Sequence, residues 1–403
     1  MQSTCRLCNG QNIQLLYDFG EKPIAHRLLD RPGEAEDFFP YALHSCRDCG
    51  LVQLMDPIDP ELLYKSYNYN FTSWKPEPHR PRELELIASM GPFKSVAEIG
   101  CNDGSFLADL KELGISSPIG IEPNPVSSAI AKSRGLTVYN EMATTDLCKQ
   151  IVEQHGQVDL VTSRQVIEHV LSLEEFFACI EILLKDDGIL FLDMPDSQHG
   201  FSLPDCSVFW EEHVTYFTEP VVQYMLSYFG YEPITTEIYD FSGGTVAVAA
   251  RRKSQTDQSR PVRVTENAII NTAEFSDKVQ NYQSRIKSAL ADAQKDGAEI
   301  VLYGTGARAC NLMNGLALGE FIDFAIDDQL ERQGKFMPGC HLEIRSPDTL
   351  IGNDGALILL LAVNNENEEK VKGRIADLVQ RQIRYVSLLG PKNIWDELDQ
   401  LAS

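Results

Sequence analysis

The middle of the chain alternates short apolar runs with segments in which apolar residues recur every three or four positions. Apolar runs at residues 96–99, 119–122, 159–163 and 188–194 predict strands, and the segments between them predict amphipathic helices. This alternation is typical of an α/β fold with a mainly parallel sheet covered by helices on both faces. Ligands of such sheets bind outside the carboxyl ends of the strands. We therefore expect polar residues at those ends to form a site.

The C-terminal part of the chain repeats the pattern after a long amphipathic helix predicted at residues 279–293. A strand, a glycine turn and a helix are predicted over residues 300–309, and Asp327 ends the next predicted strand. The turn is close to a dinucleotide fingerprint, but Ala309 occupies the position of the third glycine. This half predicts a second α/β domain, which either contributes to binding or only packs.

A glycine turn joins the first predicted strand of the middle domain to its first helix. Residues 98–104 read Glu-Ile-Gly-Cys-Asn-Asp-Gly, and Gly100 and Gly104 would let the backbone approach a ligand that a Cβ obstructs. Glu122 ends the following strand, where a carboxylate can accept hydrogen bonds from ribose hydroxyls. The spacing resembles that of class I S-adenosylmethionine-dependent methyltransferases. It favours a nucleoside cofactor over a purely structural turn.

Two C-x-x-C pairs lie near the N-terminus. Cys5 and Cys8 form the first pair, and Cys46 and Cys49 form the second. Two such knuckles supply four thiolates, which is the ligand set of a tetrahedral zinc site. Protein would fill all four positions, so the predicted zinc is structural. Two redox dithiols are the alternative, and the doubled motif favours zinc.

Composition narrows the classes of function. The chain has 403 residues and a net charge of −24. Two or three domains are expected at this length, and the charge disfavours nucleic acid and anionic membrane surfaces as partners. No apolar run approaches membrane-span length, and the first residues lack a signal-peptide pattern. We expect a cytoplasmic protein, and its oligomeric state is left open.

Candidate catalytic groups follow two of the predicted strands. Arg164 and His169 come after the strand at 159–163, and Glu212 and His213 lie in an aromatic segment. Desolvation by those aromatics would perturb both titrations, and a histidine near neutrality can take a proton from a substrate carbon. The alternatives are a packing histidine at position 169 and an exposed loop around position 213.

Other polar and aromatic positions have two interpretations. Tyr67 and Tyr69 belong to an aromatic connector that is either a hydrophobic strap or a lid. Ser242 and Gly243 begin a turn. Its backbone amides either bind a phosphate or serve only the turn itself. Asn140 follows a third predicted strand and so falls at the ligand-binding edge.

In their order, these motifs resemble one family, the three-domain S-adenosylmethionine-dependent sugar C-methyltransferases that act on nucleotide-linked 4-keto-deoxysugars. The resemblance covers nearly the whole chain and rests on the double C-x-x-C, the aromatic connector, E-I-G-C-N-D-G, I-E-H-V, E-E-H-V-T-Y-F and S-G-G. It implies a zinc-binding domain with its connector at residues 1–75, a methyltransferase domain at 76–253 and a Rossmann-like substrate-binding domain at 254–403.

The resemblance also implies roles for individual residues. Cofactor contacts fall to Glu98, Gly100, Asn102, Gly104, Glu122, Asn140 and Arg164, and nucleotide-sugar contacts fall to Ser242, Gly243, Gly304, Gly306 and Asn364. Glu212 and His213 would supply the base at the sugar C3. His169 and either Tyr67 or Tyr69 would stabilise the enolate oxygen. Some members carry a tyrosine where this chain has Trp210, so a phenol cannot be assumed there.

Two other classes of protein fit parts of the sequence. A nicotinamide-dependent oxidoreductase is indicated by Gly304, Gly306 and Asp327. A zinc-dependent protein-binding module with inert Rossmann domains is indicated by the double knuckle. A methyl acceptor at oxygen or nitrogen is also open, because the cofactor-binding residues constrain only the methyl donor.

Overall fold

The computed structural model describes residues 3–64, 77–254, 264, 269–390 and 392–402. Its strands are β1 (Ile13–Pro23), β2 (Phe38–Cys46), β3 (Val52–Leu54), β4 (Ser95–Ile99), β5 (Ser117–Ile121), β6 (Thr137–Tyr139), β7 (Val158–Arg164), β8 (Leu184–Pro195), β9 (Thr215–Tyr216), β10 (Tyr231–Tyr239), β11 (Thr245–Arg252), β12 (Glu299–Tyr303), β13 (Phe324–Ile326), β14 (Ile344–Arg345), β15 (Leu357–Leu361) and β16 (Ile383–Ser387). Its α-helices are α1 (Pro60–Tyr64), α2 (Arg80–Met90), α3 (Ser105–Glu112), α4 (Pro125–Ser133), α5 (Thr145–His155), α6 (Leu173–Leu183), α7 (Gln198–Ser202), α8 (Glu219–Tyr228), α9 (Thr272–Lys295), α10 (Ala307–Gly315), α11 (Asn365–Leu378) and α12 (Ile394–Ala402). The strands form three sheets.

The central sheet has seven strands in the order β10-β11-β8-β7-β4-β5-β6. Strands β8, β7, β4, β5 and β6 run parallel, and β11 runs antiparallel to both of its neighbours. The mainly parallel sheet predicted from the alternating pattern is confirmed. Leu190, Phe191 and Leu192 of β8 are all fully buried, as expected where helices cover both faces of a sheet.

The C-terminal sheet has five parallel strands in the order β14-β13-β12-β15-β16. The long helix predicted before it is confirmed as α9, and the predicted strand, turn and helix correspond to β12, a turn at Gly304 and α10. The sequence therefore contains two α/β units. The carboxyl ends of their strands border the same cavity.

The N-terminal sheet is antiparallel, in the order β1-β2-β3-β9. Its fourth strand, β9, comes from the middle of the chain: Gln53 pairs with Thr215, and Val52 pairs with Tyr216. The expected boundary at residue 75 therefore separates strands of one sheet. A two-residue strand that begins two positions after His213 completes the sheet of the cysteine-rich segment.

Local signals start the helices of the central unit. The Asn124 side chain accepts hydrogen bonds from the amides of Val126 and Ser127, and Pro125 opens α4, an arrangement that favours a helix N-terminus. Thr144 caps α5 in the same manner. Within the part of the chain that the structure describes, no helix combines the length and apolarity needed to cross a membrane.

Candidate active site

A large cavity of about 2030 Å³ borders the central and C-terminal sheets and the segment that follows β1. Glu98 and Glu122 line one end, Gly304 and Asn364 line another, and His213 also lines the wall. Pockets for one drug-sized ligand usually have volumes of about 300–1,000 Å³. The cavity therefore has room for two ligands, one at each α/β edge.

The glycine turn after β4 is shaped by packing within the protein. Gly100 and Gly104 have φ values of +76° and +72°. A Cβ at Gly100 would lie 2.3 Å from Cγ2 of Val166, and one at Gly104 would lie 2.5 Å from Cδ1 of Leu136. Gly100 lines the cavity, whereas Gly104 packs against α4. Both positions therefore need glycine for two reasons: the positive φ angle, and neighbouring side chains that leave no space for a Cβ.

We expect Gly104→Ala to destabilise the protein more than Gly135→Ala does. Gly135 has φ +75° but no atom within 4 Å of its added Cβ, so it reports the backbone strain alone, about 1–2 kcal/mol. Gly104→Ala adds overpacking against Leu136 and Ala131, worth roughly 1–3 kcal/mol more. Urea unfolding of both variants measures the difference. Equal losses would show that the α4 contact is readily relieved.

Glu122 and Asn140 organise the loop after β5. The Glu122 carboxylate accepts hydrogen bonds from the amides of Asn102 at 2.9 Å and Asn124 at 2.7 Å. The Asn140 side chain donates to the carbonyls of Glu122 and Pro123. Asn140 therefore supports this loop from behind, whereas Glu122 and Asn102 line the cavity. Each carboxylate oxygen of Glu122 keeps a lone pair for a ligand hydroxyl.

Glu98 is a buried carboxylate near the carboxyl end of β4. Its side chain lines the cavity, and its Oε2 has no hydrogen-bond partner among the described residues. Burial raises the pKa of Glu98 to about 8, and the nearby Arg164 opposes this. A buried acceptor without a partner is costly, so the site fits a ligand that brings a donor or a positive charge.

Arg164 is held among carboxylates rather than left free for a ligand. Its guanidinium donates to Glu83 at 3.0 Å and Glu77 at 3.2 Å, and it lies 4.2 Å from the centre of the Phe106 ring. Although these partners satisfy much of the side chain, Arg164 borders the cavity. Arg164 therefore acts mainly as a positive charge near the Glu98 carboxylate, and a direct contact with the cofactor is the lesser role.

His213 lies in a wall of aromatic rings. Its ring centre is 3.8 Å from that of Trp210 and 4.9 Å from that of His169. The Nδ1 atom of His169 is 2.8 Å from the carbonyl oxygen of Glu212. Because a carbonyl only accepts, Nδ1 of His169 carries the hydrogen. Both predicted histidines are thus brought together at the cavity.

The carboxylate of Glu212 contacts a different histidine from the one expected. Its Oε1 lies 3.1 Å from Nδ1 of His26, which comes from the segment after β1. Glu168 lies beside the two predicted histidines: Glu168, His169 and His213 place ligand atoms within 4.8 Å of one another. Glu168 stands in the I-E-H-V motif without an assigned role. His26 had no signal in the sequence.

The residues predicted to contact substrate meet at Arg308. Its guanidinium donates to the Ser242 carbonyl at 3.1 Å and to Oδ1 of Asn364 at 3.2 Å. Gly243, Gly304 and Gly306 also line this part of the cavity. Tyr67 and Tyr69 lie outside the described residues, so their predicted role is not addressed by the structure.

The second α/β unit repeats the hydrogen bonding of the first. Asp327 accepts from the amides of Thr305 and Gln329, both at 2.9 Å, as Glu122 does from its own glycine turn and loop. Asp327 also accepts from the Thr305 hydroxyl and lies 3.3 Å from Nη1 of Arg332. The Asp327 carboxylate therefore has fewer lone pairs left to accept a hydrogen bond from a ribose hydroxyl than the Glu122 carboxylate has.

The four N-terminal cysteines converge in a geometry that fits zinc. Sγ of Cys5 is 3.5 Å from Sγ of Cys49, and Sγ of Cys8 is 3.6 Å from Sγ of Cys46. Zinc–sulfur bonds of about 2.3 Å place tetrahedral sulfurs roughly 3.8 Å apart. Protein thiolates fill every position, as a structural site requires.

Comparisons with known proteins agree with this geometry. Three family models match in succession: "Putative zinc binding domain" at residues 5–64, "Methyltransferase domain" at 74–236 and "C-methyltransferase C-terminal domain" at 240–389. The C-methyltransferase NovU of Streptomyces niveus is 25% identical over 376 residues, which cover 89% of each chain. This chain is an S-adenosylmethionine-dependent C-methyltransferase with a zinc-binding N-terminal domain. Its central unit has the class I methyltransferase fold.

Other matches to the C-methyltransferase are partial. The mitochondrial ubiquinone biosynthesis O-methyltransferase of Bos taurus is 31% identical over 126 residues, which cover 28% of this chain and 33% of that relative. The crystal structure of the Burkholderia thailandensis 1,6-didemethyltoxoflavin-N1-methyltransferase with bound 1,6-didemethyltoxoflavin and S-adenosylhomocysteine is 15% identical, with a TM-score of 0.37. It covers 51% of this chain and 97% of its own.

The family assignment decides among the alternatives raised by the sequence. The matches favour a methyltransferase that acts on carbon. They disfavour a nicotinamide-dependent oxidoreductase, an inert binding module and a methyltransferase that acts on oxygen or nitrogen. S-adenosylmethionine is the cofactor and zinc is the structural metal. The unpaired acceptors of Glu98 and Asn102 suit the cationic donor and its hydroxyls.

Cofactor binding to the C-methyltransferase is expected to release a proton near neutral pH. Because burial raises the pKa of Glu98 to about 8, its carboxyl is mostly protonated at pH 7 without ligand. A cationic donor favours the ionised form and lowers that pKa, so the proton leaves on binding. Calorimetry in buffers of different ionisation enthalpy measures the release. Glu98→Gln should abolish it, and undiminished release from that variant would assign the proton to another group.

Proposed function

We propose that the enzyme methylates C3 of a nucleotide-linked 4-keto-deoxysugar, with His213 as the base that forms the enolate. The observation that carries this proposal is the shared cavity. The cofactor turn, the His213–His169 pair and the second α/β edge all face it. On this proposal, the base, the methyl donor and an extended acceptor share one enclosure.

The electrostatics of the second edge support an anionic acceptor. The chain carries a net charge of −24, yet the wall contributed by the C-terminal unit is rich in basic side chains. They are Arg308, Arg332, Lys335, Lys370 and Arg374. The same wall carries the acidic residues Asp327, Asp328 and Glu331, of which Asp327 pairs with Arg332 and Asp328 with Arg374. Five basic and three acidic side chains leave an excess of two positive charges. Local positive charge in an acidic protein is typical of a site for phosphate groups. A nucleoside diphosphate on the sugar has the matching charge.

The predicted chemistry assigns proton handling to two histidines. A ketone at C4 acidifies the hydrogen at C3, and His213 would accept that proton while the electron pair moves to the C4 oxygen. Trp210 packs on the His213 ring and shields it from water. The cofactor, when bound, supplies the electrophilic methyl group. No catalytic metal is needed for these proton movements.

His169 is a candidate for stabilising the developing enolate oxygen. Its Nδ1–H is committed to the Glu212 carbonyl, which leaves Nε2 toward Glu168 at 3.7 Å. In the proposed reaction, the Nε2 edge of His169 is the part of the ring that faces the enolate oxygen. Glu168 thus takes the supporting role beside the histidines that the sequence motif suggested for Glu212.

Incubation with a panel of 4-keto sugar nucleotides and S-adenosylmethionine tests the proposal. The expected result is a product one methylene heavier and S-adenosylhomocysteine in equal amount, with exchange of the C3 hydrogen into solvent. Matched sugar nucleotides that carry a C4 hydroxyl serve as controls and should not react. Turnover of the hydroxyl controls, or methylation at an atom other than C3, would overturn the proposal.

A further inference from the structure

The segment that follows β1 enters the active-site wall beside two consecutive carboxylates. The Ala25 amide donates to Oε1 of Glu211 at 2.7 Å, and Nδ1 of His26 lies 3.1 Å from Oε1 of Glu212. Both His26 and Glu212 line the cavity. Two neighbouring residues of the zinc-bearing unit therefore contact two neighbouring residues of the catalytic segment.

The contact is largely removed from water. The side chains of His26 and Glu212 are 14% and 6% exposed. Glu211 is buried beside them, and desolvation raises its pKa to about 7. Hydrogen bonds to a charged group contribute more than neutral ones, and a low dielectric increases their strength. The His26–Glu212 pair is therefore suited to fixing geometry.

Glu212 connects His26 to both active-site histidines. Its side chain contacts His26, its carbonyl oxygen lies 2.8 Å from Nδ1 of His169, and its peptide bond leads directly to His213. A shift of this one residue moves the base and its neighbour together. Small displacements of reacting groups lower the rate strongly, because the proton transfer needs hydrogen-bond geometry.

We propose that His26 is a positioning residue of the active site, which donates a hydrogen bond from Nδ1 to Glu212 and so holds His213 and His169 in place. The role rests on the proposed function of His213. It makes the zinc-bearing unit a contributor of a side chain to the catalytic wall. His26 acts through Glu212 and needs no contact with the sugar.

Two substitutions separate this role from simple loss of a side chain. His26→Leu removes the donor, and we expect kcat and the rate of C3 hydrogen exchange to fall together by about 10- to 100-fold. The KM for S-adenosylmethionine should stay within about twofold, since the cofactor turn is elsewhere. His26→Asn places an amide donor near the position of Nδ1 and should restore most of the lost rate.

A double substitution tests whether His26 works through Glu212. If it does, adding His26→Leu to Glu212→Gln causes little further loss, whereas independent roles give multiplied losses. Zinc content and thermal unfolding should match those of the wild type in every variant used. Multiplied losses, full activity of His26→Leu, or failure of His26→Asn to restore the rate would each overturn the proposal.

Failure of the proposed function is distinguishable from failure of this role. If the wild-type enzyme methylates no 4-keto sugar nucleotide, the acceptor assignment fails, and the His26–Glu212 bond is then tested by ¹⁵N NMR of the imidazole. The expected spectrum shows a protonated, hydrogen-bonded Nδ1 that changes in Glu212→Gln. An Nδ1 signal that is indifferent to this substitution would refute the contact.

Discussion

Replacing His213 by glutamine is expected to reduce methyl transfer by about 10²- to 10⁴-fold, the usual contribution of a general base. The ring centres of His213 and Trp210 are 3.8 Å apart. Glutamine fills much of the space that the imidazole occupies beside Trp210, so packing is largely preserved. Exchange of the C3 hydrogen with solvent should fall by the same factor. Affinity for S-adenosylmethionine should change little, because Glu98 and Glu122 are intact.

Three measurements make this result specific. Tritium release from C3 reports the proton step, mass shift reports the methylated product, and calorimetry reports cofactor binding. His155→Gln is a matched control, because His155 lies at the end of α5 and contacts Tyr139. Equal tritium release from His213→Gln and the wild type would remove His213 as the base.

Loss of zinc is expected to abolish methyl transfer while leaving much of the cofactor affinity. Structural zinc sites contribute on the order of 10 kcal/mol to the folding of small domains. Cys49→Ser removes one ligand, and we expect the N-terminal sheet to lose its cooperative unfolding transition. Activity should fall by more than about 100-fold, since the sheet pairs with β9 just after His213 and the loop after β1 contacts Glu211 and Glu212 just before it.

The path from the metal to the active site consists of a few hydrogen bonds. Arg6 lies between the first two cysteines, and its backbone amide donates to Oε1 of Gln53 at 3.0 Å. Its guanidinium also donates to the Leu54 carbonyl. The Leu54 amide donates to the carbonyl of Val214 at 3.0 Å, and Val214 follows His213. Removal of zinc therefore releases a short chain of contacts that ends at the proposed base.

Metal analysis, circular dichroism and activity on the same samples check this expectation. Cys340→Ser is the control, because Cys340 belongs to the C-terminal unit and is not one of the four clustered cysteines. It should keep zinc and activity. Full methyl transfer by zinc-free enzyme would show that the N-terminal sheet is held by its other contacts alone.

Periodicity predicted the central sheet because its strands are covered on both faces. Continuous apolar runs such as Leu190–Leu192 mark buried strands whatever their neighbours are. Strand β10 was not predicted, since it lies at the edge of the sheet. Ile234 and Ile238 are exposed there, and three consecutive polar residues separate them. An edge strand has a weaker pattern because only part of it is buried.

The site was predictable where residues act within one strand–turn–helix unit. Glu98, Gly100 and Glu122 could be placed because the ends of neighbouring parallel strands meet at one edge. The His26–Glu212 contact joins residues 186 positions apart in the chain, and no local spacing encodes it. The same holds for Arg308, which reaches the Ser242 turn across two units.

Strand β9 has a consequence for engineering chimeras of this enzyme. Its two residues complete the sheet of the zinc-bearing unit, although they are encoded far downstream. A fusion designed at the expected domain boundary at residue 75 would combine three strands of one parent with a fourth from the other. A chimera should therefore fold only when residues 205–216 come from the same parent as the first 64 residues.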